Sequence, residues 1–166
     1  VGRDITRLKL AEETLRASEE RFRSLTELST DWYWELDADL RITYISPRYS
    51  ARTGLALKPA YGQTPFETDY IWDSEAQKQE HKATLQAHEA FHDLRLSRRD
   101  EEGELRYLSI SGEPVYDAAG AFKGYRGTGR DVTAEVLAQR ALRESEQRFR
   151  NLTELSSDWY WEQDEN

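Results

Sequence analysis

The 166-residue chain contains no cysteine. That excludes disulfides, thiolate-ligated metals and a thiol nucleophile, and it fits a reducing, cytoplasmic setting. Long apolar runs are also missing. Hydrophobic stretches last only a few residues, far short of the roughly 20 needed to span a bilayer. Clustered basic residues are missing too. The 23 Lys and Arg are outnumbered by 32 Asp and Glu, for a net charge of −9. A phosphate-binding surface needs clustered cations, so nucleic acid and direct contact with anionic membranes are disfavoured as partners. Neither a signal peptide nor an initiator Met opens the sequence, and Val1 reads as a cut point inside a longer protein. The chain has three His, none paired with an acid at a metal-ligand spacing, so no metal site is expected.

What the chain does have is a repeat. "LTELSTDWYWELD" (25–37) returns as "LTELSSDWYWEQD" (152–164) at an offset of 127 residues. Across 2–37 against 129–164, 24 of 36 positions are identical without a gap. That period is domain-sized and far longer than a solenoid unit. The chain therefore reads as a linker helix over 1–28, one whole domain over 29–133, a second linker helix over 134–155, and the truncated start of the next repeat over 156–166. The stub "DWYWEQD" is expected as an orphan first strand, disordered or docked on another chain.

Residues 4–28 carry apolar or small side chains at alternating spacings of three and four: Leu8, Ala11, Leu15, Ser18, Phe22 and Leu25. This is a heptad seam. Residues 131–155 carry its copy: Ala138, Leu142, Ser145, Phe149 and Leu152. Ala and Ser make it a weak coiled coil, suited to pairing helices between two chains. The seam residues Leu8, Leu15, Phe22, Leu25, Leu142, Phe149 and Leu152 are the expected homodimer interface.

Between the helices the period falls to two. "WYWEL" (32–36) and "RITYI" (41–45) read as a hairpin around "DAD". "SPRYSARTG" (46–54) reads as a short helix closed by Gly54. Residues 55–73 are irregular, and 74–88 form a polar helix. Three strands follow, 91–99, 104–115 and 122–133, joined by turns at "DEEG" and "DAAG". The fold class is α+β.

This order resembles a PAS domain of the S-box type. Four stretches carry the resemblance: "LRASEERFRSLTELSTDWYWELD", "LRITYISPRYSARTGL", "RRDEEGELRYLSISGEPVYDAAGAFKGYRGTGRDVT", and the "RDVT"/"RDIT" junctions. They cover roughly residues 16–133. The resemblance implies a five-stranded antiparallel sheet with helices on one face and a pocket between the two layers. It implies a bacterial sensory and dimerisation module in tandem array. A histidine kinase, diguanylate cyclase or phosphodiesterase would follow as the output domain of the longer protein, with no catalysis in this stretch.

Strand alternation selects the pocket face. Trp34 and Leu36 share it on the first strand. Leu94 and Leu96 do so on the third, Leu108 and Ile110 on the fourth, and Tyr125, Gly127 and Gly129 on the fifth. Phe66 and Trp72 would close the cavity. The competing reading is that these residues are simply core, and that the glycines serve close packing. An unknown small molecule is the expected ligand. Cysteinyl-flavin chemistry, which the resemblance would otherwise suggest, is excluded by composition. Haem would need an inward His, and His81, His88 and His92 are the candidates. Haem is disfavoured, leaving a haem redox or gas sensor as a minor alternative. A ligand-free dimerisation spacer is the main one. "GYRGTG" (124–129) lacks the Lys-Ser/Thr of a phosphate loop and sits in a strand. Ser109 and Ser111 show no nucleophile–base arrangement. Asp131, Val132 and Thr133, where the last strand becomes helix, are the expected signal relay. Asp131 is the capping or salt-bridging residue of the three.

Overall fold

A computed structural model describes residues 2–28, 31–56 and 60–164, with side chains described at all of these except 2, 22–23, 26–28 and 157–164. The chain divides into two units, meeting between Asp131 and Val132.

The first unit begins with α1 (Gly2–Leu28), followed by β1 (Trp32–Leu36), β2 (Ile42–Ile45), α2 (Arg48–Thr53), α3 (Glu75–Gln86), β3 (Phe91–Arg99), β4 (Leu105–Tyr116) and β5 (Phe122–Asp131). The strands form one antiparallel sheet in the order β2-β1-β5-β4-β3. The second unit is α4 (Thr133–Asp164).

The three hairpin turns share one mechanism. Asp37, Asp100 and Asp117 each accept, at Oδ1, the backbone N–H groups two and four residues on, at 2.9–3.0 Å. The residue three positions after each Asp takes a left-handed backbone: Leu40 at φ 62°, Gly103 at 83° and Gly120 at 81°. A carboxylate oxygen thus stands in for a carbonyl and closes the turn locally. The N–H groups of Ala121 and Ala119 hold the Asp117 carboxyl below its usual range.

The short helices are equally local. Gly54 ends α2 at φ 71° with its N–H on Ser50 O. Ser74 caps α3, its Oγ accepting from Gln77 N at 3.1 Å.

The core lies between the inner face of the sheet and α2, α3 and the 60–72 segment. Its deepest layer is set by two tryptophans on β1 facing glycines on β5. Trp32 pairs with Gly129 and Trp34 with Gly127. A Cβ on Gly129 would come within 2.3 Å of the Trp32 indole, and one on Gly127 within 2.4 Å of the Trp34 indole. The Trp34 ring reaches one strand further, to 2.6 Å from a Cβ built on Gly112 of β4, and it stacks on Phe91 of β3 at 6.1 Å. One cross-strand row therefore reads Ile45, Trp34, Gly127, Gly112, Phe91. The space left by the two inner glycines is filled by an indole rather than by a ligand.

One expectation fails. Residues 158–162 spell the same "DWYWE" as 31–35, yet their backbone is helical, inside α4. Both edges of β5 are already occupied, by β1 and β4. In the second copy, with both neighbours of β5 already in place, the backbone makes the local hydrogen bonds of a helix.

Gly127→Ala is expected to cost about 3 kcal/mol in urea unfolding, because its Cβ would also meet the Ser111 backbone oxygen at 2.0 Å. Gly120→Ala, with nothing within 4 Å of its Cβ, should lose only about 1 kcal/mol to its positive φ. Equal losses would refute the indole-over-glycine packing.

Candidate functional site

A cavity of about 50 Å³ lies between the sheet and the helical layer. Of the residues expected from strand alternation, Trp34, Leu36, Leu94, Leu96, Ile110 and Trp72 line it. Five do not. Gly127 and Gly129 are covered by the indoles described above. Leu108 is fully buried in the core at the Leu96 register. Phe66 stands behind the wall, stacked on Trp72 at 5.5 Å. Tyr125 is buried with its hydroxyl donating to Glu89 O at 2.9 Å, which fastens the chain just after α3 to β5.

The remaining lining residues were missed. Trp32, Ile42 and Ile45 come from the first hairpin, and Tyr49 and Leu85 from the helices. Pro65, Tyr70, His81 and Phe91 complete the wall. Trp32 shares the parity of Trp34 and Leu36, so alternation could have found it. Tyr70 and Pro65 lie in irregular backbone, where no period points inward.

The polar side of the site is a buried arginine. Arg98 follows Leu94 and Leu96 on the inward parity of β3 and is 8% exposed. Its Nη1 donates to the Tyr49 hydroxyl at 2.6 Å and its Nε pairs with Asp69 Oδ1 at 2.5 Å. The guanidinium carbon sits 5.8 Å from the Tyr70 ring centroid. Burial raises the Tyr49 phenol above its ordinary range, with Arg98 opposing the shift. Burial keeps Tyr49 a neutral phenol, and Asp69 supplies the buried Arg98 with a counter-charge. A two-way backbone bridge between Ile71 and Ser97, at 2.7 and 3.1 Å, adds to the Asp69–Arg98 contact. Together they fix the 64–72 segment as the side wall of the cavity.

His81 is the titratable group of the lining. It is 7% exposed and packed edge-on to Phe91 at 4.6 Å, with Trp72 at 5.7 Å and Phe66 at 5.9 Å. Burial pushes its pKa down to about 4, so it is neutral at physiological pH. His88 instead stacks on Phe122 at 3.6 Å, and His92 is exposed; neither lines the cavity. A neutral, inward His81 has the chemistry of a haem ligand. A haem or a flavin ring needs a pocket on the order of 300 Å³, however, and the cavity of about 50 Å³ does not hold one. Among the described residues, no cluster of His, Asp and Glu could hold a metal ion. No helix among them is long and apolar enough to cross a membrane.

At the end of β5, Asp131 Oδ2 lies 3.9 Å from Arg106 Nη1 of β4, and Arg106 Nε pairs with Asp100 at 3.2 Å. Arg106 of β4 is thus an ion partner of Asp131. Val132 alone separates β5 from Thr133, the first residue of α4. The seam residues Leu8, Leu15, Leu25, Leu142, Phe149 and Leu152 are each between 61% and 74% exposed. The side chain of Phe22 lies outside the described residues.

Residues 26–137 match the family described as PAS fold. The "Uncharacterized protein y4lL" of Sinorhizobium fredii (strain NBRC 101917 / NGR234) is 30% identical over 166 residues, all of this chain and 20% of that protein. The chain thus spans about a fifth of the length of this curated relative. A solved RNA-binding light-oxygen-voltage receptor superposes with a TM-score of 0.61 at 16% identity, covering 78% of this chain and 37% of that one. A sensory box histidine kinase/response regulator from Burkholderia thailandensis E264 gives 0.59 at 21% identity, covering 79% and 98%. At these identities the structural likeness establishes the fold.

A His whose folded pKa is depressed withdraws stability as pH falls. The penalty starts below the unfolded value near 6.5 and is complete below about 4. Wild type should lose about 2–3 kcal/mol across that window by denaturant titration. His81→Leu should flatten this slope. Parallel slopes would place His81 in water.

Proposed function

The chain belongs to the PAS-fold family, and from that premise we propose that it is a sensory and dimerisation module of a longer bacterial signalling protein. The cavity takes a small molecule, and the response passes through Asp131, Val132 and Thr133 into α4. From there it reaches the next repeat and an output domain, a histidine kinase or a diguanylate cyclase or phosphodiesterase. A solved structural relative carries the name sensory box histidine kinase/response regulator. This chain itself performs no catalysis in this reading.

The observation that carries the proposal is the place of the cavity relative to the exit. Its walls include β1 and β4, the two strands that flank β5. Arg106 of β4 is ion-paired with Asp131, one residue before the junction. A ligand that favours one arrangement of β1 and β4 also favours one placement of Asp131. It shifts output only by that difference in affinity. The exposed seams support homodimer formation. A 32-residue helix with leucines and a phenylalanine at heptad positions gains most of its stability from a partner. Ser145 and Ala138 weaken the seam, which suits two registers of similar energy.

A second reading has support from the size of the cavity. About 50 Å³ is small for a ligand site, as in a spacer that dimerises without binding. A native mass spectrum set against the denatured mass separates the two. Extra mass lost on denaturation is expected; a clean dimer without it favours the spacer. For the relay, Ser145→Leu in the full-length protein should lock output in one state. A wild-type range of response in that variant would rule out signalling by repacking of the α4 seam.

A further inference from the structure

The Trp34 side chain holds a buried polar group that the fold does not use. Its indole ring is clamped over Gly127 and Gly112 and stacked on Phe91. Trp34 is 8% exposed, and its Nε1–H has no hydrogen-bond partner among the described residues. A buried donor without an acceptor costs roughly 1–3 kcal/mol, so native structures rarely keep one without a use. Gly127 and Gly112 beneath the ring and Phe91 against it hold the indole in place. Trp34 lines the cavity.

The rest of the lining sets the chemistry of what could meet this donor. Among the described residues it contains no Asp, Glu, Lys or Arg. The nearest buried cation, Arg98, is committed to Tyr49 and Asp69. His81 is neutral. A charged ligand would lose its hydration for no counter-charge. The volume of about 50 Å³ corresponds to about four water-sized spheres of roughly 10–15 Å³ each.

We infer that the cavity selects a neutral molecule of about four heavy atoms, apolar except for one hydrogen-bond acceptor that takes the Trp34 indole N–H. Small ketones, aldehydes and ethers are the chemical class. The inference rests on the sensing reading of the cavity and narrows it.

Acetone, isobutene and acetate test it, because they share a shape and differ in acceptor and charge. The probe is the indole ¹⁵N–¹H spectrum of the wild-type chain, whose five tryptophans give separate signals. The Trp34 signal is identified by its proximity to Phe91 and Ile45. Acetone should shift it downfield, saturably, and bind about tenfold more tightly than isobutene, the worth of one hydrogen bond to a buried donor. Acetate should leave it unmoved. Equal binding of isobutene and acetone would show that the donor plays no part, and tight acetate binding would refute neutrality. A Trp34 N–H that ignores all three probes but cross-relaxes with water belongs to an ordered water, and the inference falls. If native mass spectrometry then finds a large or charged ligand, the sensing reading survives without this inference. If it finds none, both fall together.

Discussion

Two indoles lying across a track of glycines hold this domain together. β1 contributes Trp32 and Trp34, β5 contributes Gly129 and Gly127, and β4 adds Gly112 under the far edge of Trp34. An indole is a large, flat apolar group, and glycine is the residue that lets it lie against the sheet. The pairing sets the β1–β5 register, since a slip of one residue would turn both tryptophans to the outer face. It also sets the height of the inner layer. Tyr49 packs edge-on to Trp32 at 5.1 Å and Phe91 stacks on Trp34, so both α2 and the start of β3 take their positions from these rings.

The cavity is what remains above that layer. It is small because the inner glycines are filled from within. Among the described residues its lining carries no charge, and the buried Arg98 beside it is held by Tyr49 and Asp69. The same arrangement gives it mechanical meaning. Its walls are strands that border β5, and β5 leads, through a single residue, into α4. In the proposed relay, a weakly specified helical seam beyond such a junction would respond to small shifts, since packed elements switch between discrete arrangements rather than deform smoothly.

Local features were legible before the fold was known. The three Asp turns announced themselves in "DAD", "DEEG" and "DAAG", because the carboxylate, the left-handed residue and the two N–H groups lie within five residues. Strand parity placed Trp34, Leu36, Leu94, Leu96 and Ile110 on the face that lines the cavity. Parity failed where volume decided. Gly127 and Gly129 looked like room for a ligand, yet a neighbouring strand's side chain takes that room. Tyr125 has the right parity but is committed to Glu89. Tyr70 and Pro65 come from backbone without a period, and Arg98, on the inward parity of β3, is a charge whose partners Asp69 and Tyr49 come from distant segments.

The repeat states the division most plainly. "GRD" is helix at 2–4 and strand at 129–131, and "DWYWE" is strand at 31–35 and helix at 158–162. By itself the sequence determined the domain period, the family, the order of elements, the turns and the seams of the flanking helices. All of these rest on interactions within a few residues or on patterns along one element. Tertiary structure alone decided which copy of each repeated segment became strand, what filled the glycine track, and which polar groups were left facing the cavity. The physical reason is that a strand, a cavity wall and a buried donor are each completed by atoms far away in the chain.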